Sequence, residues 1–228
     1  MSRFHFTKTV ARAVVLLGGV LTMAAALAAD PMGHIRGTIV SATGDTLTVR
    51  TAQGNVSVAI DPTTRIAGIV PSTVEQIKSG TFVGIANIPG ADASSALEVV
   101  VFPDAMKGSG LGDYPWDLAP ASGAGASAMT NGTVTTTTAV AGAAAESSAM
   151  TNGTVMSTSH ANGLVLTVDY GKGEKKIHVP TSAPVVGIVP GDASKLVPGA
   201  HVFVATKKDA PQTAGFVAVG IDGTVPPM

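Results

Sequence analysis

Gly68-Ile69-Val70-Pro71, running on to Ile77, Gly80, Val83 and Ala86, is repeated by Gly187-Ile188-Val189-Pro190, running on to Leu196, Gly199, Val202 and Ala205. The two copies keep a spacing of 119 residues from Leu47-Thr48-Val49, echoed by Leu166-Thr167-Val168, to Ala96, which matches Gly215. Self-similarity at a fixed period marks a duplicated structural unit, so the architecture is taken from it before any local pattern. The 228 residues then divide into two units of about 70 residues each and a linker between them.

Composition narrows the fold class. Hydrophobic residues make up 45% of the chain but aromatics only 4%, so the cores are expected to be built from Val, Ile, Leu and Ala. The 27 Gly and 14 Pro punctuate short strands and weaken helix interiors, which favours an all-β protein.

Residues 1–29 read as a signal peptide. Arg3, Lys8 and Arg12 form a basic start, Ala13 to Leu27 an uncharged apolar run, and Ala26-Leu27-Ala28 an A-x-A cleavage site. The mature protein is expected in the periplasm or secreted, with no integral membrane span after cleavage. The absence of Cys excludes disulfides, thiol chemistry and a lipid-modified Cys. Cleavage would remove three of the 14 basic residues and none of the 15 acidic ones, so the mature chain is net acidic. Nucleic acid is not an expected partner, because phosphate binding needs clustered Lys and Arg.

Taken in order, Ile35, Gly37 and Ile39 alternate with Arg36, Thr38 and Val40 as a half-buried strand does. Gly44-Asp45 and Gln53-Gly54-Asn55 are the turns of a three-stranded meander that continues through Leu47 to Thr51 and Val56 to Ile60. Ser72 to Ile77 reads as a short helix with Ser72 and Glu75 in a capping box. Strands from Val83 and from Leu97 to Phe102 complete the unit. Three strands, a short helix and two strands is the element order of an OB-type barrel, whose closure removes exposed strand edges. The expectation is two tandem OB-like β-barrels at 33–107 and 153–225, each of five strands and a short helix. A flexible low-complexity linker, 108–152, joins them.

Within that linker, Ser127-Ala128-Met129-Thr130-Asn131-Gly132-Thr133-Val134 recurs as Ser148 to Val155, and the second copy, at Gly153-Thr154-Val155, is taken as the start of the second unit. Thr135 to Ser147 is expected to be disordered. Asp113-Tyr114-Pro115-Trp116-Asp117-Leu118 stands apart because it holds the chain's only Trp, and it is expected to dock on a barrel.

Arg36-Gly37-Thr38-Ile39, Gly80-Thr81-Phe82-Val83-Gly84, Phe102-Pro103-Asp104-Ala105-Met106, Pro115-Trp116-Asp117-Leu118 and Met129 to Val134 together resemble the uncharacterised DUF5666-type bacterial envelope family. The resemblance covers most of the mature chain and implies OB-like β-domains. It implies no catalytic residues.

Candidate sites are few. His160, His178 and His201 are the least scattered set for a metal, but they lack the close spacing of metal ligands. Met106, Met129, Met150, Met156 and Met228 have no short spacing that would gather them on copper. Asp113 and Asp117 flank Trp116, a pattern that suits a sugar held by stacking and carboxylate hydrogen bonds. The competing role for Trp116 is a plug over one end of a barrel, with the aspartates as solvated flanks. No nucleophile with its base, and no paired carboxylates, suggest catalysis. The expectation is a non-catalytic binding or scaffolding protein of the cell envelope, without a cofactor, whose partner is an envelope protein or glycan. A periplasmic metal-handling accessory protein is the alternative.

Overall fold

The computed structural model describes residues 33–118, 126–140 and 163–227. The signal-peptide segment, His160 and the second octapeptide copy lie outside the described residues. Thirteen strands follow one another: β1 (His34–Thr43), β2 (Thr46–Thr51), β3 (Gly54–Ala59), β4 (Arg65–Pro71), β5 (Phe82–Ile88), β6 (Ser94–Val101), β7 (Gly112–Trp116), β8 (Ser127–Ala139), β9 (Leu164–Asp169), β10 (Glu174–Val179), β11 (Val185–Pro190), β12 (His201–Lys207) and β13 (Ala210–Gly220).

The expected all-β class holds, and the first meander falls where alternation places it. The short helices do not form. Each is a single 3₁₀ turn, Val74–Gln76 and Ala193–Lys195. Thr73, not Ser72, stands at the first N-cap, and it makes no side-chain capping bond. Three residues are too few to satisfy the orphan amides of an α-helix, so only the tighter turn closes.

The tandem arrangement is replaced by an exchanged one. β5, β6, β10, β9 and β8 form a closed five-stranded barrel, in which β6 meets β10 in parallel at Ile177↔Ser94 and His178↔Ser95. β1, β2 and β3 join β12 and β13, with Thr213↔Ala59 linking β13 to β3. The last two strands of each repeat therefore sit with the first three of the other. Ile39, Leu47, Val49 and Val58 pack with Val202, Val204, Val217 and Val219 in one core. Val83, Ile85 and Val99 pack with Leu164, Leu166, Val168 and Ile177 in another.

The repeated motif is the crossing point. β4 and β11 pair antiparallel with the equivalent residues Ile69 and Ile188 opposite each other, and on either side Gly68 faces Val189 and Val70 faces Gly187. β4 also runs beside β13, and β11 beside β6, which makes one continuous sheet through the middle of the molecule.

The linker is also corrected. β7 and β8 lie inside it, and Thr135–Ala139 belongs to β8, which pairs with β9 through Thr136, Thr137, Thr138 and Ala139 after a register shift at Thr135. β8 is the first strand of the second unit, built from the first octapeptide copy. Gly132 opposes Val83 as Gly37 opposes Val202. Both glycines are required by close approach: a Cβ on Gly37 would overlap the Arg50 carbonyl, and one on Gly132 the Asp169 carbonyl.

Candidate functional site

A third core lies outside the two inner cores, on the face of the central sheet. Ala67, Ile69, Val100, Val186, Ile188, Phe203 and Ala218 form it, and Phe102, Met106 and Trp116 pack against it. Alternation explains this: along β1, Ile35 and Ile39 face the inner core, which turns His34 and Arg36 to the opposite face.

Residues 102–118 cross this face as a strap. A 3₁₀ turn, Asp104–Met106, leads into β7, which adds antiparallel to β8 with Tyr114 opposite Met129 and Trp116 opposite Ser127. The Ser127 hydroxyl donates to the Trp116 carbonyl at 3.0 Å. The docking expected of the Trp segment is thus a strand addition, and its aspartates are anchors at the two ends of the strap. Lys175 on β10 donates to both oxygens of Asp113, at 2.9 and 3.1 Å, and Thr130 donates to the same carboxylate at 2.6 Å. Arg36 on β1 grips Asp117 in a two-pronged pair at 2.9 and 2.7 Å. The strap is tied to one strand group by Asp113 and to the other by Asp117.

Burial of Asp117 acts to raise its pKa, but the Arg36 hydrogen bonds and the neighbouring His34 outweigh it and hold the carboxyl well below the usual carboxylate range. His34 Nδ1 lies 3.1 Å from Asp117 Oδ1, yet out of line for a hydrogen bond. Burial pushes the Tyr114 phenol pKa up, and its oxygen accepts from Asn131 Nδ2 at 2.9 Å.

The aromatic side chains meet here. The Trp116 ring centre is 4.4 Å from His34 and 6.3 Å from both Phe203 and Tyr114. The Arg36 guanidinium sits 5.2 Å from the Phe203 ring centre and 6.0 Å from that of Trp116, within reach of cation–π attraction.

Between strap and sheet lies a cleft of about 240 Å³. Its roof includes Phe102, Met106, Tyr114 and Trp116; its floor includes Val100, Met129, Asn131, Phe203 and Phe216; Arg65 stands beside them. Three buried polar atoms of its walls, His34 Nδ1, Trp116 Nε1 and Asn131 Oδ1, have no hydrogen-bond partner. Asn131 is only 7% exposed. Leaving such a group unpaired costs about 1–3 kcal/mol, so each is a position where a bound molecule gains by supplying the missing partner.

Of the residues singled out from sequence, Trp116 lines the cleft while Asp113 and Asp117 clamp its roof with oxygens already engaged. His178 and His201 lie on β10 and β12, in different strand groups, and among the described residues no three His, Asp or Glu gather to hold a metal. Met106 and Met129, which the sequence gives no reason to group, both line the cleft together with His34. Arg65 and Asn131 were missed. Strand alternation could have placed His34 and Arg36 on one face, but no local pattern marks Arg65. Among the described residues no helix is long and apolar enough to cross a membrane. No protein-family model, curated protein or solved structure matches the chain, so the envelope-family resemblance rests on the motifs alone.

Proposed function

We propose that the chain is a non-catalytic binding protein of the bacterial cell envelope, in which two OB-like five-stranded units present the strap-covered cleft as a ligand site. The observation that supports this most is the set of three unpartnered polar atoms, His34 Nδ1, Trp116 Nε1 and Asn131 Oδ1, in a predominantly apolar cleft. Small-molecule sites commonly combine a predominantly apolar lining with a few placed polar groups. The envelope location rests on the signal-like N-terminus.

A thermal-shift panel of small aromatic compounds, envelope glycans and metals tests this, since binding to the native state raises the melting temperature. Ala205 also lines the cleft, and Ala205→Leu fills it. Expected is a ligand-dependent rise that Ala205→Leu abolishes while the protein stays folded. A panel without any shift, or a shift indifferent to Ala205→Leu, would refute the assignment.

One observation favours metal handling as the second reading. His34, Met106 and Met129 share the cleft, and thioether with imidazole suits Cu(I). Anaerobic Cu(I) should then stabilise the protein, and the double change Met106→Leu with Met129→Leu should remove the effect.

A further inference from the structure

We propose that the ligand of the cleft is a small elongated aromatic carboxylic acid carrying a hydrogen-bond donor at its far end, its carboxylate held by Arg65 and its donor by Asn131. This inference rests on the cleft being a ligand site and assigns the chemistry of what fills it.

Three features of the cleft converge on that class. The first is charge. Arg65 lines the cleft, and among the described residues its exposed guanidinium has no ion pair or side-chain hydrogen bond; Arg50 is unpaired too, but it lies away from the cleft. A guanidinium offers a planar fork of donors matched to a carboxylate, and such a charge-assisted pair is stronger than a neutral one. An unpaired fork on the lining of an apolar cleft selects an acid over its neutral analogue.

The second is the missing donor. Asn131 already gives its Nδ2 hydrogens to the Gly110 carbonyl at 3.1 Å and to Tyr114 at 2.9 Å, which fixes the amide so that Oδ1 is left as an acceptor without a partner. A phenol or ring N–H completes it; a plain hydrocarbon end does not. Trp116 Nε1, the complementary unpaired donor, accommodates an acceptor on the same molecule.

The third is shape. Arg65 is on β4 and Asn131 on β8, with β5, β6 and β11 between them in the sheet, so the two groups reach the cleft from different walls. The intervening wall is Val100 and Phe216 below and Phe102 and Trp116 above, which suits the faces and edges of one aromatic ring. At about 240 Å³ the space is below the roughly 300–1,000 Å³ of drug-sized sites, so a single ring with a short acid chain fits and a fused polycycle does not.

The test uses the full chain and three matched probes: 3-(4-hydroxyphenyl)propionate, its amide, and 3-phenylpropionate. Trp116, the only Trp in the protein, reports occupancy by its fluorescence, and calorimetry gives the affinities. The hydroxyphenyl acid is expected to bind about tenfold more tightly than its amide, a gap that Arg65→Gln closes and high salt narrows. It is also expected to bind more tightly than 3-phenylpropionate. Because Arg65 is exposed, Arg65→Gln leaves folding intact. Equal affinity for acid and amide, or a gap that survives Arg65→Gln, overturns the carboxylate assignment while saturable binding keeps the cleft as a site. Equal affinity for the phenol and phenyl acids overturns the role given to Asn131. If none of the three probes binds or perturbs Trp116, the ligand class proposed here is rejected. The status of the cleft itself is then decided by whether any member of the wider panel gives a shift sensitive to Ala205→Leu.

Discussion

Gly132→Ala tests the position of the second unit's first strand, because the same octapeptide occurs twice and only one copy can occupy the barrel position. In the structure an added Cβ at Gly132 overlaps the Asp169 carbonyl oxygen and lies 2.6 Å from Val168 Cγ1 and 2.8 Å from the Asp169 carbonyl carbon. Ordinary carbon contacts are about 3.5–4.0 Å, so relief demands a shift of roughly 1 Å. The obstacle is the backbone of β9, paired to β8 at Thr133↔Asp169 and Val134↔Val168, and Val168 is fully buried. Overpacking of this kind costs about 1–3 kcal/mol, and a weakened ladder hydrogen bond adds about 1 kcal/mol, for a loss of ~2–4 kcal/mol. Urea unfolding of the variant, with an unchanged dependence on denaturant, measures it. Gly153→Ala, in the other copy, is expected to stay within about 0.5 kcal/mol of the parent. A Gly132→Ala loss below about 1 kcal/mol, or the larger loss appearing at Gly153, would show that the strand has been assigned to the wrong copy.

Cleavage at a protease site inserted between 141 and 162 should leave the two pieces eluting as one body, because β9, β11, β12 and β13 pair with β8, β4 and β1 of the other piece; two separately folded bodies would contradict the exchange. Trp116→Ala should lower stability by about 2–3 kcal/mol, less than the ~3–5 kcal/mol of a fully buried aromatic, since the indole is partly exposed yet stacked 4.4 Å from His34; an unchanged urea midpoint would place the ring on the surface. Asp117 has a folded pKa below its unfolded value of about 3.9, so its stabilisation is fully present above that pH and is lost as pH falls through the folded value. Asp117→Asn should therefore flatten the acid limb of a melting-temperature profile, and identical acid limbs would remove the Arg36 pair from the account.

Most of the strands and the inner faces of the cores were legible in the sequence, whereas β4, β7, β8 and β11 were not. Strand alternation is a local property: each residue's neighbours two positions away decide which face it shares, and Ile35, Leu47 and Val58 are read correctly on that basis. It also placed the Trp segment against the folded units, since an indole in a polar stretch seeks burial. What it could not determine is which copy of a strand closes with which meander. β5 and β12 carry equivalent residues, as do Val83 and Val202, so either pairing buries the same kind of side chain and the local pattern is silent between them. The decision comes from contacts between the copies, above all Ile69 facing Ile188, which exist only when both units are folded together. The cleft has the same origin. His34, Arg65, Asn131 and Trp116 lie far apart in the chain and on four different strands, and only the exchanged sheet with its strap brings them to one cleft.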